Sequence, residues 1–316
     1  MHPVEVKPVS RRGWLLFIAL CVIWGLPYLL IRVAVRELSP PALIFLRTAP
    51  AALLLAPLVM RRGELRPLFA RWRWVVVYTV IELAVPWLLL AHAELRLSSS
   101  LAGLFVGAVP LIAAVLYRAL GARERFGARR LTGLFIGFAG VAALVGIDMS
   151  GADPLALAEM LVVALCYATG PLIISRPLAG LPTLGVITAS LALTAVAYAP
   201  AGLLSMPGSL SAQTVGAVAT LALVCTVLAF LVFFALIREV GPSRSVVFTY
   251  VNPLVAVLLG VIILGEPLTL GIAVGMPLIL VGSLLGTAPS PAKPGATPED
   301  RLSDAVTDPS ASPPTP

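Results

Sequence analysis

From residue 13 to residue 287 the chain is a succession of long apolar runs separated by short clusters of charge, proline and glycine. A membrane-crossing helix takes roughly 20 apolar residues. On that measure the pattern predicts ten such helices, near 13–36, 41–60, 73–94, 98–120, 129–148, 154–175, 183–205, 214–237, 243–264 and 268–287. The first run is too long for a cleavable signal peptide, carries Arg32, and is followed by no small-residue cleavage site. Residues 288–316 hold eight prolines among Ser, Thr and Asp and show no apolar period, which predicts a disordered tail. A short tail, 1–12, precedes the first run.

Composition narrows the class further. Hydrophobic residues make up 59% of the 316 and charged residues 12%, about half the charged share of a soluble domain. Mean hydropathy is +1.01. A soluble enzyme, a disordered chain and a disulfide-stapled chain are all excluded. The net charge of +7 does not point to nucleic acid, because the arginines sit between apolar runs. With the N-terminus placed in the cytoplasm, sixteen Lys and Arg fall in the cytoplasmic connections and only Arg36 and Arg96 in the outer ones. That asymmetry predicts a multi-pass protein of the plasma (inner) membrane with both termini cytoplasmic. Cys21, Cys166 and Cys225 lie inside apolar stretches without metal or redox spacing and are expected to pack.

The two halves of the chain resemble each other. Glu124, Gly133 and Gly140 match Glu266, Gly275 and Gly282 at an offset of 142, and Pro110 matches Pro253 at 143. Pro27 and Arg32 match Pro171 and Arg176 at 144. Five predicted spans per half force the second half to enter the membrane upside down. The expected fold is an all-α integral membrane protein of ten transmembrane helices in two inverted five-helix repeats, 13–148 and 153–287. Gly133, Gly137, Gly140, Gly275 and Gly282 would let the fifth and tenth helices approach closely.

Trp24-Gly25, Arg47 within FLRTAPAALLL, Pro110, Glu124, and the second-half stretches NPLVAVLLG, GEPLTLG and LILVGS resemble the drug/metabolite transporter superfamily. Within it, the chain is similar to bacterial permeases with two EamA domains, over roughly residues 13–287. The resemblance implies ten helices, cytoplasmic termini and movement of small metabolites, often outward. The third span departs from the family pattern, carrying an acidic residue at depth in IELAVPWLLLAHAEL.

That residue, Glu82, is the most informative single position. A charged side chain at the centre of a span costs roughly 2.5–3.5 kcal/mol on insertion scales. Glu82 must therefore be protonated, paired or in contact with water. It is a candidate substrate-binding and proton-coupling residue, with a structural ion pair to Arg47 or Arg32 as the alternative. Tyr78, one turn earlier, is placed to share its hydrogen bonds. Arg47 either anchors its helix by snorkelling or acts as an ion-pair or anion-attracting group. Ser245, Thr249 and Asn252 form a polar stripe on one face of the ninth span, either a substrate-facing wall or helix-packing contacts. Trp24, Tyr28 and Tyr167 are aromatic candidates for the same cavity, whereas Arg32 and Glu159 are expected at the interface. The tenth helix, which carries Ser283, is expected to be peripheral to the site.

Lysine occurs only at positions 7 and 293, so no Walker A motif exists. No hydrolase motif and no metal-ligand set is present, and no cofactor is expected. The expected partners are a small-molecule substrate and the lipid bilayer, with the protein a monomer or homodimer that binds no nucleic acid. The leading function is a secondary transporter of small organic metabolites, an exporter of amino-acid-like or drug-like solutes. A membrane-embedded enzyme or a non-transporting scaffold is the rival reading.

Overall fold

The computed structural model describes residues 10–119, 128–148, 153–241 and 249–286, and among them the chain is helical with no strand. The helices are α1 (Arg11–Ala34), α2 (Pro40–Arg61), α3 (Arg66–Ala93), α4 (Ser99–Ala119) and α5 (Ala128–Asp148). They continue as α6 (Pro154–Ser175), α7 (Thr183–Leu204), α8 (Ala212–Val240), α9 (Asn252–Leu264) and α10 (Leu270–Gly286). Seven of them, α1 to α4 and α6 to α8, are long and apolar enough to cross a membrane. The other three carry shorter apolar stretches, Leu131–Leu144, Asn252–Leu264 and Leu270–Leu285. The first six residues of the span expected at 243–264 lie outside the described residues, as do Glu124 and Ser245.

Local sequence sets the helix ends. Ser10, Ser39, Ser98, Asp153 and Ser211 each accept a backbone N–H in the first turn with a side-chain oxygen. This satisfies donors that a helix N-terminus otherwise leaves open. Gly265 ends α9 in the left-handed region (φ 66°), turning the chain so that Glu266 comes back toward α4.

α2 packs along α7 and α5 along α10, while α9 lies against α4 and α1. α1 also packs on α8, and α6 on α3 and α4. The α5–α10 seam forms as the glycine pattern predicts. Gly140 faces the backbone at Gly275 and Ile279, and Gly282 faces the backbone of Gly137. Large apolar side chains such as Leu53, Phe69, Phe135, Val196, Leu204 and Ile262 are exposed on the outside of the bundle. A soluble monomer does not carry a surface of that kind, whereas lipid covers it without penalty.

Three helices are irregular. α4 breaks at Gly107 and resumes at Val109, and the Ser283 hydroxyl donates to the Gly107 carbonyl at 3.2 Å. Ser283 is fully buried at this α4–α10 contact. α3 and α8 each contain a six-residue π-helical segment, Thr79–Ala84 and Leu223–Leu228. The two begin 144 residues apart (223 − 79), the separation already seen for Pro27 with Pro171. A π turn loosens the backbone bonding around it, and hydroxyls occupy the carbonyls concerned. Tyr198 of α7 donates to Ala84 O at 3.0 Å, and Thr226 donates to Leu221 O at 2.8 Å.

Candidate functional site

The middle of the bundle gathers polar groups from five helices around the two π segments. Arg47 on α2 is 6% exposed, so it does not snorkel. Its Nε donates to Thr226 Oγ1 at 3.2 Å, and its guanidinium carbon sits 3.7 Å from the centroid of the Trp87 ring. Thr226, in the π segment of α8, thus receives one hydrogen bond from Arg47 and donates one to its own helix. Tyr167 on α6 lies within electrostatic reach of both Arg47 and Glu82 and beside Trp87. Tyr28 on α1 is buried within reach of Arg47 and Tyr167.

Glu82 occupies the π segment of α3 and leans on α6, where Gly170 leaves the room it needs. A β-carbon at Gly170 would overlap the Glu82 carboxylate. Its Oε2 is buried without a hydrogen-bond partner, and Glu82 forms no ion pair among the described residues. The expected alternative pairings fail for stated reasons: Arg47 is held by Thr226 and Trp87, and Arg32 donates to the Glu94 backbone carbonyl. Tyr78 is buried nearby but makes no hydrogen bond to Glu82.

Other expected members are placed elsewhere. Trp24 packs against Phe230 and Phe233 of α8, with ring centroids 5.9 and 5.2 Å apart, in a separate aromatic cluster. Thr249 lies in a single turn before α9, and Asn252 is the first residue of α9, its carbonyl facing Gly25 of α1. Both are half-buried, and Asn252 borders α1 at Gly25.

Sequence reasoning missed the charged clasps at the two ends of the bundle. At the end carrying the α1–α2 turn, Arg96 pairs with Asp153 at 2.8 Å and with Glu159 at 2.7 Å. His92 Nδ1 lies 2.5 Å from Glu159 Oε1. This network fastens the end of α3 to the start of α6. Glu159 is 7% exposed, buried in the network. At the opposite end, Ser10 Oγ donates to Glu239 Oε1 at 2.6 Å, fastening the start of α1 to the end of α8. The first clasp carries four ionisable groups, the second a single charged one.

Two further carboxylates at the α1–α2 end differ sharply. Glu266, from the α9–α10 loop, accepts from the backbone N–H groups of Ser99 and Ser100 at 2.8 and 2.9 Å. It also accepts from their hydroxyls at 2.9 and 2.5 Å. Partial burial pushes the Glu266 carboxyl up, but the four donors outweigh it and hold it below the usual carboxylate range. Glu94 is fully buried with neither oxygen hydrogen-bonded. Burial raises its carboxyl well above the usual range; Arg32 opposes the shift and Glu266 adds to it.

Comparison with known proteins follows the same lines. The model of the EamA-like transporter family matches residues 11–146 and 155–287. An uncharacterized inner membrane transporter of Escherichia coli K12, YedA, is 31% identical over 89% of this chain and 93% of its own. An uncharacterized transporter of Archaeoglobus fulgidus is 27% identical over 86% of this chain and 97% of its own. A crystal structure of a protein 21% identical superposes with a TM-score of 0.60, covering 87% of this chain and 96% of that one. This last likeness concerns the fold alone.

Proposed function

The chain belongs to the EamA-like transporter family, and from that premise we propose that it is a secondary carrier exporting a small organic metabolite, with Glu82 exchanging a proton in each cycle. It is a multi-pass membrane protein and a transporter, not an enzyme. The architecture we infer is ten spans in two inverted five-helix repeats, with both termini cytoplasmic. Matched π segments in α3 and α8, the matched prolines and the paired clasps support the repeat. The charge asymmetry of the connections supports the orientation. The Arg96 clasp then closes the outer side and the Ser10–Glu239 contact the inner side. Alternating access requires each to open in turn.

One observation carries the proton-coupling reading. Glu82 is a mid-span carboxylate whose buried oxygen has no protein partner. A structural acid would be paired, because an isolated buried charge costs several kcal/mol. An acid that must gain and lose a proton remains open to solvent or cargo at one stage. Tyr28, Tyr78, Tyr167, Ser245, Thr249 and Asn252 are proposed cargo contacts in successive states, with Trp24 a packing residue of the α1–α8 interface. The test is transport by Glu82→Gln in proteoliposomes, where the amide keeps the shape but cannot ionise. Accumulation driven by a pH gradient should vanish, while exchange of cargo at equal pH persists. Unchanged pH-driven accumulation in folded Glu82→Gln protein would overturn the assignment.

A further inference from the structure

Arg47 is a cationic side chain buried among the mid-bundle helices, and among the described residues it has no paired carboxylate. Among the described residues no carboxylate lies within 4.0 Å of it; the four recorded ion pairs all involve other residues. Glu159 is engaged with His92 and Arg96, and Glu266 with Ser99 and Ser100. Its protein contacts use the Nε hydrogen, given to Thr226, and one face of the guanidinium plane, laid on Trp87. Among the described residues neither Nη atom has a protein acceptor, and neither is among the buried polar atoms sealed from solvent. Arginine cannot shed its charge at physiological pH, so a guanidinium held this way needs an anion or water on its open edge.

We propose that Arg47 is the cargo receptor, and that the cargo carries a carboxylate which pairs with the two Nη atoms of its guanidinium. The proposal rests on the carrier reading above and names its substrate class. The geometry favours this chemistry in three ways. Trp87 fixes the guanidinium plane and Thr226 fixes its rotation, so the Nη edge is presented as a preset two-pronged fork. That fork matches the two oxygens of a planar carboxylate. A single fixed positive charge neutralises a monoanion, whereas a phosphate-type dianion would leave net negative charge in a low-dielectric core. Finally, the residues holding Arg47 belong to α3 and α8, the helices with π segments, so cargo pairing and helix rearrangement share one contact.

A tie between α2 and α8 alone would not need a positive charge, since a glutamine could donate to Thr226 equally well. The experiment therefore reads discrimination, not stability. Purified protein is assayed by scintillation proximity with radiolabelled benzoate and butyrate and their neutral counterparts benzamide and butyramide. Wild type should favour each acid over its amide at least tenfold. Arg47→Lys, which keeps charge but loses the fork, should lose most of that preference, and Arg47→Met should lose all of it. Arg36→Gln, which removes an exposed outer charge, should leave it intact. Equal binding of acids and amides by wild type, or a preserved acid preference in folded Arg47→Met, overturns the proposal while the carrier reading stands. Absence of binding by all four compounds also overturns it, and the Glu82→Gln gradient assay then decides the carrier reading separately.

Discussion

Replacing Glu266 by alanine removes an acceptor that holds the α9–α10 loop onto the first turn of α4. Four donors lose their partner together, two backbone N–H groups and two hydroxyls. The hydroxyls can rotate to water, but the N–H groups of Ser99 and Ser100 are fixed by the helix. Ser98 continues to cap Leu101, so the helix start is weakened, not abolished. Loss of a cap costs about 0.5–2 kcal/mol, and loss of a carboxylate at a helix N-terminus about 0.3–1 more. The serine hydroxyls regain water partners and add little, so the cap and helix-terminus terms together place the total at about 1–3 kcal/mol. Glu266→Gln should cost about half as much, because its amide nitrogen cannot accept from one of the two N–H groups. Gly260→Ala should resemble Glu266→Ala, since a β-carbon there meets Glu266 Oε2 and both serine hydroxyls.

The assay is unfolding in mixed micelles titrated with denaturing detergent, at several pH values. The carboxyl is lowered in the folded state, so its contribution is fully present above the unfolded value of about 4.3. It is lost as pH falls through the lower folded value. Glu266→Gln should show no such loss. A cost of Glu266→Ala under about 0.5 kcal/mol would refute the reasoning. So would strict additivity with Ser99→Ala and Ser100→Ala, because groups sharing bonds must couple.

Arg96→Gln should cost about 2–3 kcal/mol, because Glu159 is left buried with His92 alone. Asp153→Asn should cost under about 1 kcal/mol, since that pair is more exposed and asparagine still caps α6; equal costs in the same unfolding assay would count against the burial argument. Gly170→Ala should destabilise by about 1–3 kcal/mol through overpacking and depress transport further, with normal flux showing that Glu82 does not need the space. A fluorescent protein fused after Pro316 should fluoresce, and alkaline phosphatase inserted after Ser150 should be active; the reverse pattern would invert the proposed orientation.

The apolar runs made most of the helices legible to within a few residues, because lipid exposure forces long uninterrupted segments; α3 starts seven residues earlier than expected. The close glycine seam between α5 and α10 was legible for the same kind of reason, since small residues at helical spacing have one use. The direction of a long side chain was not. Arg47 sits at a depth from which both snorkelling and inward folding are open, and only the ring of Trp87 and the hydroxyl of Thr226 decide between them. The partners of Glu159 were not legible either, because His92 and Arg96 lie 67 and 63 positions away in the chain. The π segments carry no residue signature. Their trace in the sequence was the separation of 144 between Glu82 and Thr226, the same as between Pro27 and Pro171. Helical phasing fails across such a segment, which is one reason Trp87 was not singled out although it lies at the centre.

The matched π segments bear on descent. A widened turn costs stability, and two at equivalent places are more simply inherited from one ancestral half than acquired twice. On the repeat reading, the ancestor was a five-helix chain that paired with an inverted copy of itself, and it carried the same residue at both of these positions. Only after the gene doubled and fused could one copy hold an acid, Glu82, while the other held a hydroxyl, Thr226. On the proposed roles, the division of labour between a protonatable group and a guanidinium anchor is younger than the π segments that present it. Relatives that differ in cargo should diverge at these two positions sooner than in the helical irregularity beneath them.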